Sequence, residues 1–508
     1  MNTNPQPVSN PTWYGDIRNM FNQTDIDHMK AQGLDLTSYD EVKNSAGGIY
    51  GQVAAGNMPP GTPWTQDQVN TFLNWMTNGY PKGSASSSKT SDSAMMARVS
   101  SVSKATRIRK DINDLNETEL SNLKTAFTAI MAKDTNDPNS YFVQAGYHWL
   151  PTGNLFCQHH VPGYNPWHRA YLVGFENALR SVPGCENVTL PYWDITTPFP
   201  DVLKIAPFDQ YTLPKDIGQG FNAGYVTQRY DYPTIQQNLL AYSVTEDINR
   251  ALTKTDWEDF NGYFAGAAYN TIIAAHDSGH VSIGSTMANQ SVAAFDPVFW
   301  FFHANWDRLF WLWQTQMKAT NLNGLLSTIN KQTDQQSYQI FTNPVLETLN
   351  PFTSNPPNLN TITIIDSENS LDIDYQPPKT PTVLNMLPKT QRTTLASEKF
   401  FVHTNRVNVR VQGLNRLKIP GSFKVHLLKD GKVIASRGFF QPAEVEKCEN
   451  CVQNAVVHFD FELPLEEVSN GQLGVWVEPI DKSFVGDHFP HKLMGNPTVD
   501  VHFLLSNE

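Results

Sequence analysis

Apolar residues recur at helical spacing along much of the chain up to about Asn330, and beyond that the pattern changes to short alternating runs. Residues 1 to about 82 read as helical and amphipathic, interrupted by the turn sequence Met58-Pro59-Pro60-Gly61. Lys82 to Asp92 is rich in Ser and predicts a loop or linker. Asn116, with Glu119 three residues on, predicts a capping box opening a helix that runs through Leu123, Phe127 and Ile130. Further helical patterns are anchored at His168 to Arg180, Ile235 to Leu252, Asp256 to His280 and Asp296 to Lys318. Residues 340–395 are rich in Pro, Asn and Thr. From Lys399 onward the runs FFVHT, VNVRV, SFKVHLL, KVIASRG, AVVHFDFEL, LGVWVE and TVDVHFLL are strand-like, with Gly and Pro turns between them. The pattern predicts a mainly α core followed by a C-terminal β-sandwich. The divisions read as an N-terminal helical extension (1–104), a core domain (105–339), a linker (340–395) and a β domain (396–508).

Length supports that division, because 508 residues exceed what one ordinary core holds. The net charge of −12 gives no electrostatic reason to expect nucleic acid or an anionic membrane as partner. The most apolar stretch, Phe295 to Trp313, contains Asp296, His303, Asp307 and Arg308, which makes it a poor membrane span. The first residues lack a basic and then apolar leader, so a cytoplasmic protein is expected. Four cysteines, Cys157, Cys185, Cys448 and Cys451, are too few for a disulfide scaffold in so long a chain.

The histidines change the picture most. Of 14, His148, His159, His160 and His168 fall in one cluster and His276, His280 and His303 in another. A lone buried histidine is usually a satisfied core residue. Two clusters on or beside helical patterns are different. His276 and His280 are four residues apart, so on a helix both imidazoles face one way and can share a metal. This is not the zinc-protease motif, because Asp277 stands where that motif needs a general-base glutamate. An imidazole-only donor set suits Cu, Zn, Fe or Ni, and two such sets side by side favour a dinuclear centre.

Specific motifs then appear. The segment Cys157-Gln158-His159-His160-Val161-Pro162-Gly163-Tyr164-Asn165-Pro166-Trp167-His168-Arg169 resembles the copper A motif of tyrosinases, and Pro191-Tyr192-Trp193-Asp194 the element that follows it. His276 and His280, then Gly284 and Met287, then Asp296-Pro297-Val298-Phe299-Trp300 and His303-Ala304-Asn305 with Asp307-Arg308 resemble its copper B motif. The resemblance covers roughly residues 105–320, in the family's order and spacing.

The resemblance implies a four-helix bundle holding two copper ions, with O2 as co-substrate. It assigns His148, His159 and His168 to copper A, and His276, His280 and His303 to copper B. His160 is the runner-up to His159. Cys157, two residues before His159, corresponds to the cysteine that forms a thioether to this histidine in fungal and molluscan relatives. Phe302 replaces the first of two successive histidines found in most relatives, and Val281 is expected at the pocket entrance. Arg169 and Asp307 are expected to bridge helix pairs. Asp277 stands where relatives have an Asn that helps hold a basic water; a carboxylate there suits proton transfer from a bound phenol.

The β domain resembles that of fungal pro-tyrosinases more loosely. Cys448-Glu449-Asn450-Cys451 is a CxxC pair, read either as a copper-loading site, since thiolates suit Cu(I), or as a disulfide. Phe439 or Phe440 is expected to plug the site as a substrate mimic, the other being core, because successive strand residues face opposite ways. The implied activity is oxidation of small o-diphenols to o-quinones, with ortho-hydroxylation of monophenols left open. An o-aminophenol oxidase and a haemocyanin-like O2 carrier are the alternatives. Self-association is left open.

Overall fold

The computed structural model describes residues 7–31, 34–54, 58–59, 63–77, 80–83, 107–156, 158–262, 270–330, 332, 334–342, 349–354, 359–379, 403–480 and 489–505. They form two compact units. The first draws on residues up to 106, 318–327 and 335–374. It is helical, with helices Gln23–Ala31, Tyr39–Asn44, Ala46–Ala54 and Gln66–Thr77. Its centre is aromatic: Trp75 is buried against Trp13 and Phe72. Part of the stretch expected as a linker, residues 349–354 and 359–374 among those described, belongs to this unit. Short helices at Thr361–Ile365 and Ser367–Ser370 bury Ile364, Ile365 and Leu371, so apolar residues among the Pro and Asn carry this segment into the unit.

The second unit contains residues 107–317, 328–334 and 375–508. Its helices are α1 (Glu117–Met131), α2 (Tyr141–Gly146), α3 (Tyr164–Arg180), α4 (Tyr232–Ala241), α5 (Val244–Thr253), α6 (Trp257–Asn261), α7 (Ile272–Ile283) and α8 (Val298–Met317). The capping box at Asn116 and Glu119 is formed in both directions. The single patterns expected over Ile235–Leu252 and Asp256–His280 are each broken. Ser243 turns left-handed (φ 54°) between α4 and α5, and Gly262 at φ 77° ends α6. In α7 every side chain is buried, and α8 is buried continuously from Val298 to Phe310. Helices apolar all round sit inside a protein. No described helix is long and apolar enough to cross a membrane.

Buried ion pairs fix α3 against α8. Arg169 Nε donates to Asp307 at 2.6 Å, and Asp307 also accepts from Arg109 (3.0 Å) and from the Tyr375 hydroxyl (2.6 Å). All four side chains are buried.

The C-terminal strands are β1 (His403–Asn415), β2 (Phe423–Lys429), β3 (Lys432–Phe439), β4 (Val456–Pro464), β5 (Leu473–Pro479) and β6 (Thr498–Leu505). They make two antiparallel three-stranded sheets, ordered β4-β1-β6 and β3-β2-β5. Val407, Val409 and Val411 of one sheet, and Phe423, Val425 and Leu427 of the other, are fully buried at every second position. Phe459 packs on Phe423 and Phe439 across the gap. The β3 strand also lies on α7: Gly438 N–H donates to Ser278 Oγ at 3.1 Å.

Candidate metal centre

Each histidine of the two clusters is positioned by a local element. His148 and His159 stand on the irregular segment between α2 and α3, His168 is in α3, His276 and His280 share one face of α7, and His303 is in α8. Three helices and one loop segment present the six rings. His148, His159 and His168 form one buried triad and His276, His280 and His303 a second. Within each triad one ring nitrogen per residue lies within 4.8 Å of the others. The triads face one another: His168 and His303 stack with centroids 4.6 Å apart and planes 5° apart.

Hydrogen bonds set the tautomers. Nδ1–H of His148 donates to the Gln290 carbonyl (3.3 Å), that of His168 to the Tyr164 carbonyl (2.8 Å) and that of His280 to the Met287 carbonyl (2.8 Å). The Gln290 side-chain nitrogen lies 3.2 Å from Nδ1 of His159. His276 Nδ1–H donates to Asp277 Oδ1 at 2.9 Å. For His148, His168, His276 and His280 these acceptors hold the proton on Nδ1 and leave the lone pair on Nε2, towards the middle of the triad. The buried Nε2 atoms of His168 and His276 have no hydrogen-bond partner. Nε2 of His148 lies 3.2 Å from that of His159, and Nε2 of His280 lies 3.2 Å from that of His303. Converging buried lone pairs with orphaned acceptors are costly without a cation among them.

Charge state agrees. Burial pushes His168 and His280 down to about 3, and holds His148, His159, His276 and His303 well below the usual imidazole value. Neutral imidazoles are the form that binds a metal.

The second expected feature is also close by. The Phe440 ring lies parallel to His280, with centroids 3.8 Å apart and planes 11° apart. It is 5.7 Å from His159, 5.8 Å from His276 and 6.2 Å from His148. Phe439 faces the other way and stacks on His160 at 4.6 Å. Of the two phenylalanines left open by the sequence, Phe440 is therefore the one against the histidines.

The family model for the common central domain of tyrosinase matches residues 138–316, which include all six of these histidines. That match and the likeness to curated tyrosinases support the tyrosinase/type-3 copper family for this chain. It is 25% identical to a tyrosinase of Hahella sp. (strain CCB-MM4), over 66% of this chain and 82% of that protein. It is 27% identical to A-type hemocyanin of Enteroctopus dofleini, over 38% of this chain and 17% of that protein. Its fold matches that of the tyrosinase from Burkholderia thailandensis with a TM-score of 0.55 at 19% identity, covering 78% of this chain and 99% of that one. The two histidine triads fit two copper ions in number and donor type.

Other expected residues fall as follows. Cys157 lies outside the described residues, and with it the thioether to His159. Asp277 does not stand free as a base: Oδ1 accepts from His276, and Oδ2 accepts from His160 Nε2–H (2.8 Å) and the Phe440 amide (3.2 Å). Burial raises its carboxyl well above the usual range, against the pull of that amide and of the Arg416 charge. Phe302 fills the space between α8 and α7, 4.6 Å from the His280 ring and against Gly279. Val281 is buried under the Gly438 backbone, on the face that the β domain covers. Cys448 and Cys451 are joined as a disulfide, the second of the two readings, and in that form offer copper no thiolate.

The sequence did not single out Gln290, Tyr164, Arg416 or Gly438. Gln290 and Tyr164 hold ring nitrogens partly through backbone carbonyls, which any residue type carries. Arg416 bonds His160 from 256 residues away.

Proposed function

We propose that this protein is a type-3 copper oxidase that converts o-diphenols to o-quinones with O2, and that its own β domain holds it latent. His148, His159 and His168 would hold one copper and His276, His280 and His303 the other. Two coppers held there would supply two-electron redox chemistry between the diphenol and O2. The protein's own residues do the rest. Carbonyls of Gln290, Tyr164 and Met287 hold the imidazoles in the ligating tautomer, and Asp277 does so for His276. Phe302 and Phe299 wall the copper B side with apolar surface and exclude water.

The carrying observation is the place of Phe440. A planar six-membered ring lies parallel to His280 among rings of both triads, which is where an aromatic substrate would have to sit. Diphenol oxidation is the activity proposed. For monophenol hydroxylation, Asp277 would first have to exchange a partner, because both its oxygens are engaged. The likeness to hemocyanin supports a second reading, reversible O2 carriage by the same six residues.

The test uses copper-loaded Phe440→Ala and the parent protein with 4-tert-butylcatechol, following quinone absorbance. Quinone formation by the variant, well above the parent, supports a latent oxidase. Reversible O2 binding with no quinone from either protein would overturn it in favour of a carrier.

A further inference from the structure

A hydrogen-bonded chain runs from the β domain to a candidate copper B ligand. Arg416, just after β1, donates from its guanidinium to His160 Nδ1 at 3.2 Å. That fixes the His160 proton on Nε2, which donates to Asp277 Oδ2 at 2.8 Å. Asp277 Oδ1 accepts from His276 Nδ1–H at 2.9 Å, and His276 turns Nε2 to the triad. All four side chains are buried. The outer end is anchored within the β domain, where Arg416 also donates to Gln441 Oε1 (3.0 Å) and to Cys451 Sγ (3.2 Å).

His160 is the hinge of this chain. Its backbone is left-handed, at φ 57°, a conformation costly for a residue with a side chain. It directly follows the candidate ligand His159. The β domain holds it in that conformation from three sides: Phe439 stacks on its ring with planes 6° apart, Arg416 bonds its Nδ1, and the Asn454 side chain donates to its carbonyl at 3.4 Å.

We propose that His160 is a positioning residue that transmits docking of the β domain to the metal centre. It shares Asp277 with His276 and so sets the orientation of that imidazole only while the β domain is seated. This rests on the metal-site reading above and adds to it that docking and metal binding are linked: a seated β domain tightens the copper B site, and a metal in the site tightens docking. Reciprocity is required of any such linkage. The Phe440 ring opposes entry of a substrate, and the Phe440 amide adds a second β-domain contact to the same Asp277 oxygen.

The test follows docking itself. A protease site is introduced between residues 380 and 402 and cut, the two pieces are kept as a complex, and release of the C-terminal piece on dilution is timed with Co(II) or with chelator. Co(II) is redox-inert here and reports its own ligand field. Outer partners of metal-bound histidines typically change metal affinity by about 10–100-fold, so Co(II) is expected to slow release by at least ~10-fold in the parent. His160→Phe keeps the ring on Phe439 but removes both nitrogens. It is expected to release faster, to lose the Co(II) effect and to shift the Co(II) visible spectrum. Arg416→Gln, whose substitution lies in the β domain, carries the same test if His160→Phe does not fold. A parent release rate indifferent to bound Co(II), or variants that keep the full Co(II) effect, would overturn the proposal while leaving the metal site intact. Failure of the parent to take up Co(II) would overturn the metal-site reading and this proposal with it.

Discussion

Gly438→Ala is the perturbation whose effect can be worked most fully from the structure. A Cβ at this position would lie 2.7 Å from Val281 Cβ, 2.9 Å from Val281 Cγ2 and 3.0 Å from the Ser278 Cα. Carbon atoms in ordinary contact stand about 3.5 Å apart or more, so β3 would have to rise from α7 by roughly 0.8 Å. Val281 is buried and Ser278 offers backbone, so neither can yield cheaply. Overpacking of this kind costs about 1–3 kcal/mol. The same displacement stretches two hydrogen bonds at the edge of the normal range, Gly438 N–H to Ser278 Oγ (3.1 Å) and Phe440 N–H to Asp277 Oδ2 (3.2 Å). Each is worth about 0.5–1.5 kcal/mol. Even a total near the low end, ~2 kcal/mol, multiplies the undocked population roughly 30-fold. The assay is catechol oxidation by the uncut, copper-loaded protein, expressed as a fraction of the activity after cleavage between residues 380 and 402 and release of the C-terminal piece by dilution. The substitution is expected to raise that fraction about 30-fold or to its ceiling, and to leave the cut enzyme unchanged. Uncut Gly438→Ala as inactive as the parent would refute the reasoning, because the steric conflict would then be absorbed without moving Phe440.

Two further outcomes follow from buried charges. Asp307→Asn should lower stability by about 3–5 kcal/mol, because Arg169 and Arg109 lose a buried counter-charge; thermal unfolding that is unchanged would contradict the role given to this pair. Burial pushes Glu258 up to about 7, with one oxygen accepting from the Asn330 amide and the other unpartnered. Its folded value lies above its unfolded one. Its contribution is therefore full below the ordinary glutamate range and is lost as pH rises through about 7. Glu258→Gln should flatten the stability profile across that window, and a profile identical to the parent's would exclude Glu258 as its source.

What could be read from the sequence divides along physical lines. The histidines of α7 and α8 were legible because helical spacing and short motifs are local properties. The strands were legible because Val407, Val409 and Val411 alternate as a half-buried sheet requires. The capping box at Asn116 formed as its spacing predicts. Local pattern failed where tertiary contacts decide. The break at Ser243 interrupts a continuous apolar periodicity. The role of Asp277 depends on His160 and on a Phe440 amide 163 residues away in the chain. A carboxylate beside a ligand reads as a base until its partners are known. The 340–395 segment reads as a linker by composition, yet its few apolar residues are enough to bury Ile364 and Ile365.

An oxidase blocked by its own β domain is tested by oxygen uptake with catechol on the copper-loaded protein, before the cut between residues 380 and 402 and again after the cut C-terminal piece has been released by dilution. Little uptake is expected before the cut and a large rise after release of the C-terminal piece, with two coppers per chain in both states. Strong uptake before the cut would contradict the block, and reversible O2 binding with no uptake in either state would contradict the oxidase.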